Sequence, residues 1–181
     1  MVLESEGIAN GNLPVAQLAA QMRLPDGYET VPGQSARLQQ RLRAAIVSLE
    51  RRIAKALLRR DFVLGGPVKG GGEVFLPLAP VWGVSRVELL DAGGGETLPN
   101  AEISGGQMAP CLSFGRALSQ GAYVRITADA GWGTWDDVPE PLAEAALLMA
   151  EALDTGEGPA VNEVVDGLVA PWRLRRLGGL G

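Results

Sequence analysis

The chain of 181 residues contains no histidine and a single cysteine, Cys111. Without histidine there is no Ser–His or Cys–His nucleophilic pair, no imidazole acid or base near neutral pH, and no imidazole metal ligand. One cysteine excludes an internal disulfide and a cysteine-based zinc site. Aromatic residues make up only 5% of the sequence. No apolar run approaches the roughly 20 residues that cross a bilayer. The N-terminus also lacks the basic-then-apolar order of a secretory signal, so the cytoplasm of the producing cell is the expected compartment. Chemistry would have to fall to paired carboxylates or a lysine, and no spacing singles out such a pair. No catalytic residue, metal ligand or cofactor is assigned.

Glycine and hydrophobic residues, by contrast, are plentiful: 25 glycines, and a hydrophobic fraction of 46%. A single domain of this length buries roughly 70% of its unfolded surface, so one domain with a substantial core is expected. The glycines do not form phosphate loops. "GGPVKGGGE" (65–73) lacks the GK[ST] ending, and "AGGGETLP" (92–99) lacks the G-x-G-x-x-G order, so both read as turns between strands.

Residues 1 to 12 are polar and broken by glycine, a loose lead-in. "LPVAQLAAQMRL" then places Val15, Leu18, Ala19 and Met22 on one helical face, with Pro14 in the first turn, until Pro25, Asp26 and Gly27 break the pattern. A second helix is expected from about Gln34 to Leu58, with Leu38, Leu42, Ala45, Ile46, Leu49, Ile53, Ala56 and Leu57 in one arc. From Asp61 to Gly133 the period falls to two, in short runs such as "GEVFLPLAPV", "VSRVELL" and "AYVRITAD". In the last, Val124, Ile126 and Ala128 face inward. Helical period returns in "DDVPEPLAEAALLMAEALDTG": Asp136 or Asp137 caps it, Gly156 stops it, and Leu142, Ala145, Ala146, Met149 and Leu153 form the apolar face. A short helical stretch follows near Val161–Leu168. The predicted class is α+β, a helical bundle with a small, mostly antiparallel sheet inserted between the second and third main helices. The parts are helical over 13–60, β-rich over 61–133 and helical over 134–168, with an extended C-terminal arm over 169–181.

Charge divides along the chain. Residues 34–60 hold eight Lys or Arg and one acid, while 136–166 holds nine acids and no base. Arg37, Arg41, Arg52, Lys55 and Arg59 are expected on one stripe of the second helix. Glu140, Glu144, Glu151 and Asp154 gather on one side of the third. The stripes can touch within one molecule. Alternatively, one copy's basic stripe meets the next copy's acidic stripe in a ring-closing contact.

The chain closes on Pro171, Trp172, Arg173, Leu174, Arg175, Arg176 and Leu177. Three readings are open: the apolar members fold back on their own core, the arginines grip nucleic-acid phosphates, or the segment docks on another protein. A formal net charge of −5 weighs against general affinity for DNA. The alternative function is nevertheless nucleic-acid binding through the basic helix and tail.

The order of motifs resembles the head–tail connector (adaptor) family of long-tailed bacteriophages and of the related gene transfer agents of alphaproteobacteria. It is carried by "LPVAQLAAQMRL", by "AKAL" (Ala54–Leu57) in place of a "GRAL"-like turn, and by "LPLAPVWGVSRVELL" (76–90). "AGWGTWDDVPEPLAEAALLMAEAL" (130–153) and "LVAPWRLRRL" (168–177) complete it. "AKAL" lacks the usual glycine. The resemblance implies a structural, non-enzymatic protein of a virion or gene transfer particle neck, assembled in the bacterial host. It further implies a homo-oligomeric, dodecameric ring whose bore lets DNA pass without specific binding. By the same resemblance, residues 171–177 become an arm that anchors on the portal protein, and the opposite face receives a stopper or tail-completion protein.

Overall fold

In a computed structural model, residues 2–5, 7–91, 94–98, 101–156 and 159–173 are described. The chain forms two compact units. One comprises Ile8–Leu57 and Gly133–Gly181, the other Met1–Gly7 and Leu58–Trp132.

The first unit is helical. α1 (Val15–Gln21) begins beside Pro14 and buries Leu18 and Ala19. α2 (Gln34–Ile53) follows Gly33 and buries Leu38, Leu42, Ala45, Ile46, Leu49 and Ile53, the arc expected from the apolar period. α3 (Glu140–Thr155) starts after Pro139 and stops at the left-handed Gly156. Neither Asp136 nor Asp137 caps α3, a correction to the expected start: both belong to the 3-10 turn before it, where the Asp137 carboxylate accepts the Thr134 N–H at 2.7 Å and the Thr134 hydroxyl at 2.9 Å. α4 (Pro159–Val169) buries Val165 and Val169 and runs into a 3-10 turn, Ala170–Trp172. α3 packs on both α2 and α4, and α1 packs on α2 and α3. The core side of α3 is Leu142, Ala145, Ala146, Leu147 and Ala150. Leu153, expected in that stripe, is 44% exposed. With the Asp154 carboxylate turned onto α2 arginines, its neighbour about 100° round the helix faces solvent.

α2 ends earlier than its apolar period suggests. Ala54 adopts the left-handed conformation at φ 53°, and its N–H bonds the Glu50 carbonyl. The buried Glu50 side chain then accepts the Leu57 N–H at 2.8 Å. Ala56 and Leu57 are buried all the same, from the loop rather than the helix. Alanine favours helix, so the exit left no mark in the local composition.

The second unit is a β assembly of eight strands: β1 (Val2–Ser5), β2 (Arg60–Pro67), β3 (Gly71–Phe75), β4 (Val81–Asp91), β5 (Gly94–Thr97), β6 (Glu102–Ser104), β7 (Cys111–Leu118) and β8 (Tyr123–Ala130). The strands divide between a five-stranded sheet, ordered β1-β2-β8-β4-β5, and a three-stranded one, β3-β7-β6. Every pairing of these strands is antiparallel. β1 corrects the expected loose lead-in, since Val2–Ser5 pairs with Gly65–Phe62 and covers what would otherwise be a free β2 edge. In the central β8, Val124, Ile126, Ala128 and Ala130 are buried and Tyr123 and Arg125 exposed, the alternation read from the sequence. Phe62 lies opposite Ala128 and Leu64 opposite Ile126, so the buried row continues across β2. Beyond β8, Gly131 takes φ +116°, and a Cβ there would lie 2.5 Å from the Leu58 carbonyl oxygen.

Candidate functional site

No described helix is long and apolar enough to cross a membrane. Among the described residues, no group of three or more His, Cys, Asp or Glu is placed to hold a metal. What stands out is charge. On the helical unit, α2 and α3 bring one member of the acidic stripe, Asp154, against two of the basic stripe within one chain. Arg37 bonds Asp154 at 2.7 Å, and Arg41 approaches the same carboxylate at 3.5 Å. The Asp154 side chain is 8% exposed while the two arginines remain about two-fifths exposed. Glu151 accepts from Gln21 of α1 at 2.8 Å. Arg52 bridges to Asp166 of α4 at 3.1 Å and to the Asn162 side chain at 3.3 Å.

Lys55 and Arg59 lie off α2, a correction to the expected stripe that follows from the turn at Ala54. Lys55 is buried, and burial lowers its pKa below the usual lysine value. Arg59 belongs to the β unit. It grips Asp129 through two nitrogens, at 3.0 and 2.5 Å, and that hydrogen bonding raises its pKa. Its guanidinium sits 5.1 Å from the centre of the Trp82 ring. The Trp82 indole N–H in turn donates to the Gly131 carbonyl at 2.6 Å, with the ring still 48% exposed. This fixed Trp–Arg pair was not singled out in the sequence. The only available signal was a tryptophan at an outward position of a strand run.

Glu140 and Glu144 are exposed along a groove of about 490 Å³ whose remaining walls are Gln17, Pro141, Ala143 and Leu147. At the end of α4, Pro171 and Trp172 belong to the 3-10 turn, and Trp172 is half-buried. Arg173 bonds Asp166 at 2.6 Å, so one carboxylate serves both the end of α2 and the residue after the 3-10 turn. Leu174, Arg175, Arg176 and Leu177 lie outside the described residues.

No protein-family model matches the chain, nor does any curated protein. Solved structures do. A chain from the neck of an empty gene transfer agent particle, computed with C6 symmetry, is 31% identical with a TM-score of 0.82. A chain from the virion of a native gene transfer agent particle is 31% identical with a TM-score of 0.79. A chain from the neck of a native particle, computed with C12 symmetry, is 29% identical with a TM-score of 0.74. In each case the match covers 99% of this chain and 98% of the other.

Proposed function

The chain belongs to the head–tail connector family found in the necks of gene transfer agent particles, and we propose that it is the adaptor clamped between portal and tail. It is a structural neck component. The observation that carries this is a correspondence over 99% of the chain with neck proteins, at 31% identity. In the proposed mechanism it works as a ring, dodecameric as the C12 neck suggests, and its role is binding rather than catalysis.

The segment from Pro171 to Leu177 enters the portal, with Trp172 and Leu174 as apolar anchors and Arg173, Arg175 and Arg176 as charged ones. The opposite face receives the stopper or tail-completion protein. DNA passes through the bore without being held. A net charge of −5 supports that non-adhesive passage. So does the commitment of Arg37, Arg41, Arg52 and Arg59 to carboxylates of the same chain.

Producer cells lacking the chain test this reading. Filled heads separated from tails are expected, with attachment restored by the intact chain. Complete particles in its absence would refute an adaptor role.

A further inference from the structure

Once the internal ion pairs are drawn, α2 and α3 each keep charge that has no partner among the described residues. On α2, Arg37 and Arg41 are held by Asp154, Arg52 by Asp166, and Arg43 by the Asn10 side chain and the Ile8 carbonyl. Arg51 lies on the side away from the buried arc, exposed, and among the described residues its side chain has neither an ion pair nor a hydrogen bond. Exposed Ala44 and Ser48 precede it on the same side of the helix. Small side chains let a second helix approach closely.

On α3, Glu140 and Glu144 stand one turn apart, exposed and likewise without partners among the described residues. They rim the groove floored by Ala143 and Leu147. The like charges at i and i+4 repel each other mildly, an arrangement that a cation placed between them relieves.

Resting on the neck reading above, we propose that this groove takes the outer face of α2 from the next copy in the ring. Arg51 of that copy settles between Glu140 and Glu144, and its Ala44–Ser48 surface lies over Leu147. A second copy is the occupant because both halves of the contact belong to one chain, differ from each other and carry opposite charge. Repetition of such a head-to-tail contact closes a ring, and the necks holding the similar chains were computed with C6 and C12 symmetry. The interface therefore runs through Arg51, Glu140 and Glu144, and not through Arg37, Arg41, Glu151 and Asp154, which hold the helices of one subunit together.

A cysteine pair tests the contact in the full chain bound to portal rings. Cys111 is buried and stays in place. Arg51→Cys and Glu144→Cys in the same chain should give, on mild oxidation, a ladder of disulfide-linked oligomers that reducing agent collapses. Either single variant should stay monomeric on the same gel. Normal co-sedimentation with the portal but no ladder would overturn this contact and leave the neck reading standing. Failure of the unsubstituted chain to co-sediment would overturn the neck reading and, with it, this one.

Charge variants give an independent reading if the cysteine pair perturbs folding. Arg51→Glu alone and Glu144→Lys alone should each lower ring formation at least tenfold, while an equimolar mixture of the two recovers it. In the mixture every contact can again join opposite charges around an even-numbered ring. A mixture no better than its components would refute the proposal.

Discussion

At the residue scale, Ala54 and Gly131 make opposite predictions from the same backbone physics. Ala54 is held at φ 53°, a conformation that costs a Cβ-bearing residue about 1 kcal/mol. Ala54→Gly should therefore raise stability by up to about 1 kcal/mol in urea unfolding, with assembly unchanged. Gly131 at φ +116° approaches the Leu58 carbonyl too closely for a side chain. Gly131→Ala should lower stability by about 2 kcal/mol or more, and near-ultraviolet dichroism should report displacement of Trp82, whose indole bonds that glycine's carbonyl.

Asp137 supplies a pH dependence. Hydrogen bonds from Thr134 lower its pKa below the ordinary 3.8. The carboxylate's contribution is thus complete above that value and fades as pH falls through the lowered one. The stability gap between the natural chain and Asp137→Ala should be constant near neutrality and shrink at pH 3. A gap that stays constant down to pH 3 would refute this role for the ionised carboxylate.

At the scale of elements, the apolar period of α2 predicts that Leu42→Ala removes about 2–5 kcal/mol of stability, whereas Leu153→Ala on the exposed side of α3 should change it by less than about 0.5 kcal/mol. Both are read from urea melts. Much of this architecture was legible. The buried arc of α2 and the alternation of β8 follow from side-chain period alone, because one face of each meets a core. Gly156 and the prolines marked the bounds of α3 through conformations that few other residues share.

What escaped notice depended on tertiary partners. The exit from α2 rests on the Glu50 carboxylate reaching the Leu57 N–H, and an alanine at the turn conceals it. β1 exists because β2 offers it an edge. The rotation of α3 goes with Asp154 meeting two arginines from α2, a pairing no local window contains. The charge stripes themselves were visible in the sequence, but which members pair internally and which remain unspent required the packed helices.

At the scale of the whole molecule, attraction to nucleic acid should be weak despite eight basic residues between 34 and 60, because much of that charge is neutralised within the chain. Binding to duplex DNA should be undetectable at micromolar protein in 150 mM salt; tight binding with a steep salt slope would favour a nucleic-acid-binding role instead.

Joining portal to tail through the closing residues is the central claim, and its most direct test is co-sedimentation with portal rings from the same genome, comparing the intact chain with one ending at Val169. The intact chain should pellet with the rings and the shortened one should stay in the supernatant while keeping its helical dichroism. Equal binding by both would contradict the arm's role, and no binding by either would contradict the adaptor itself.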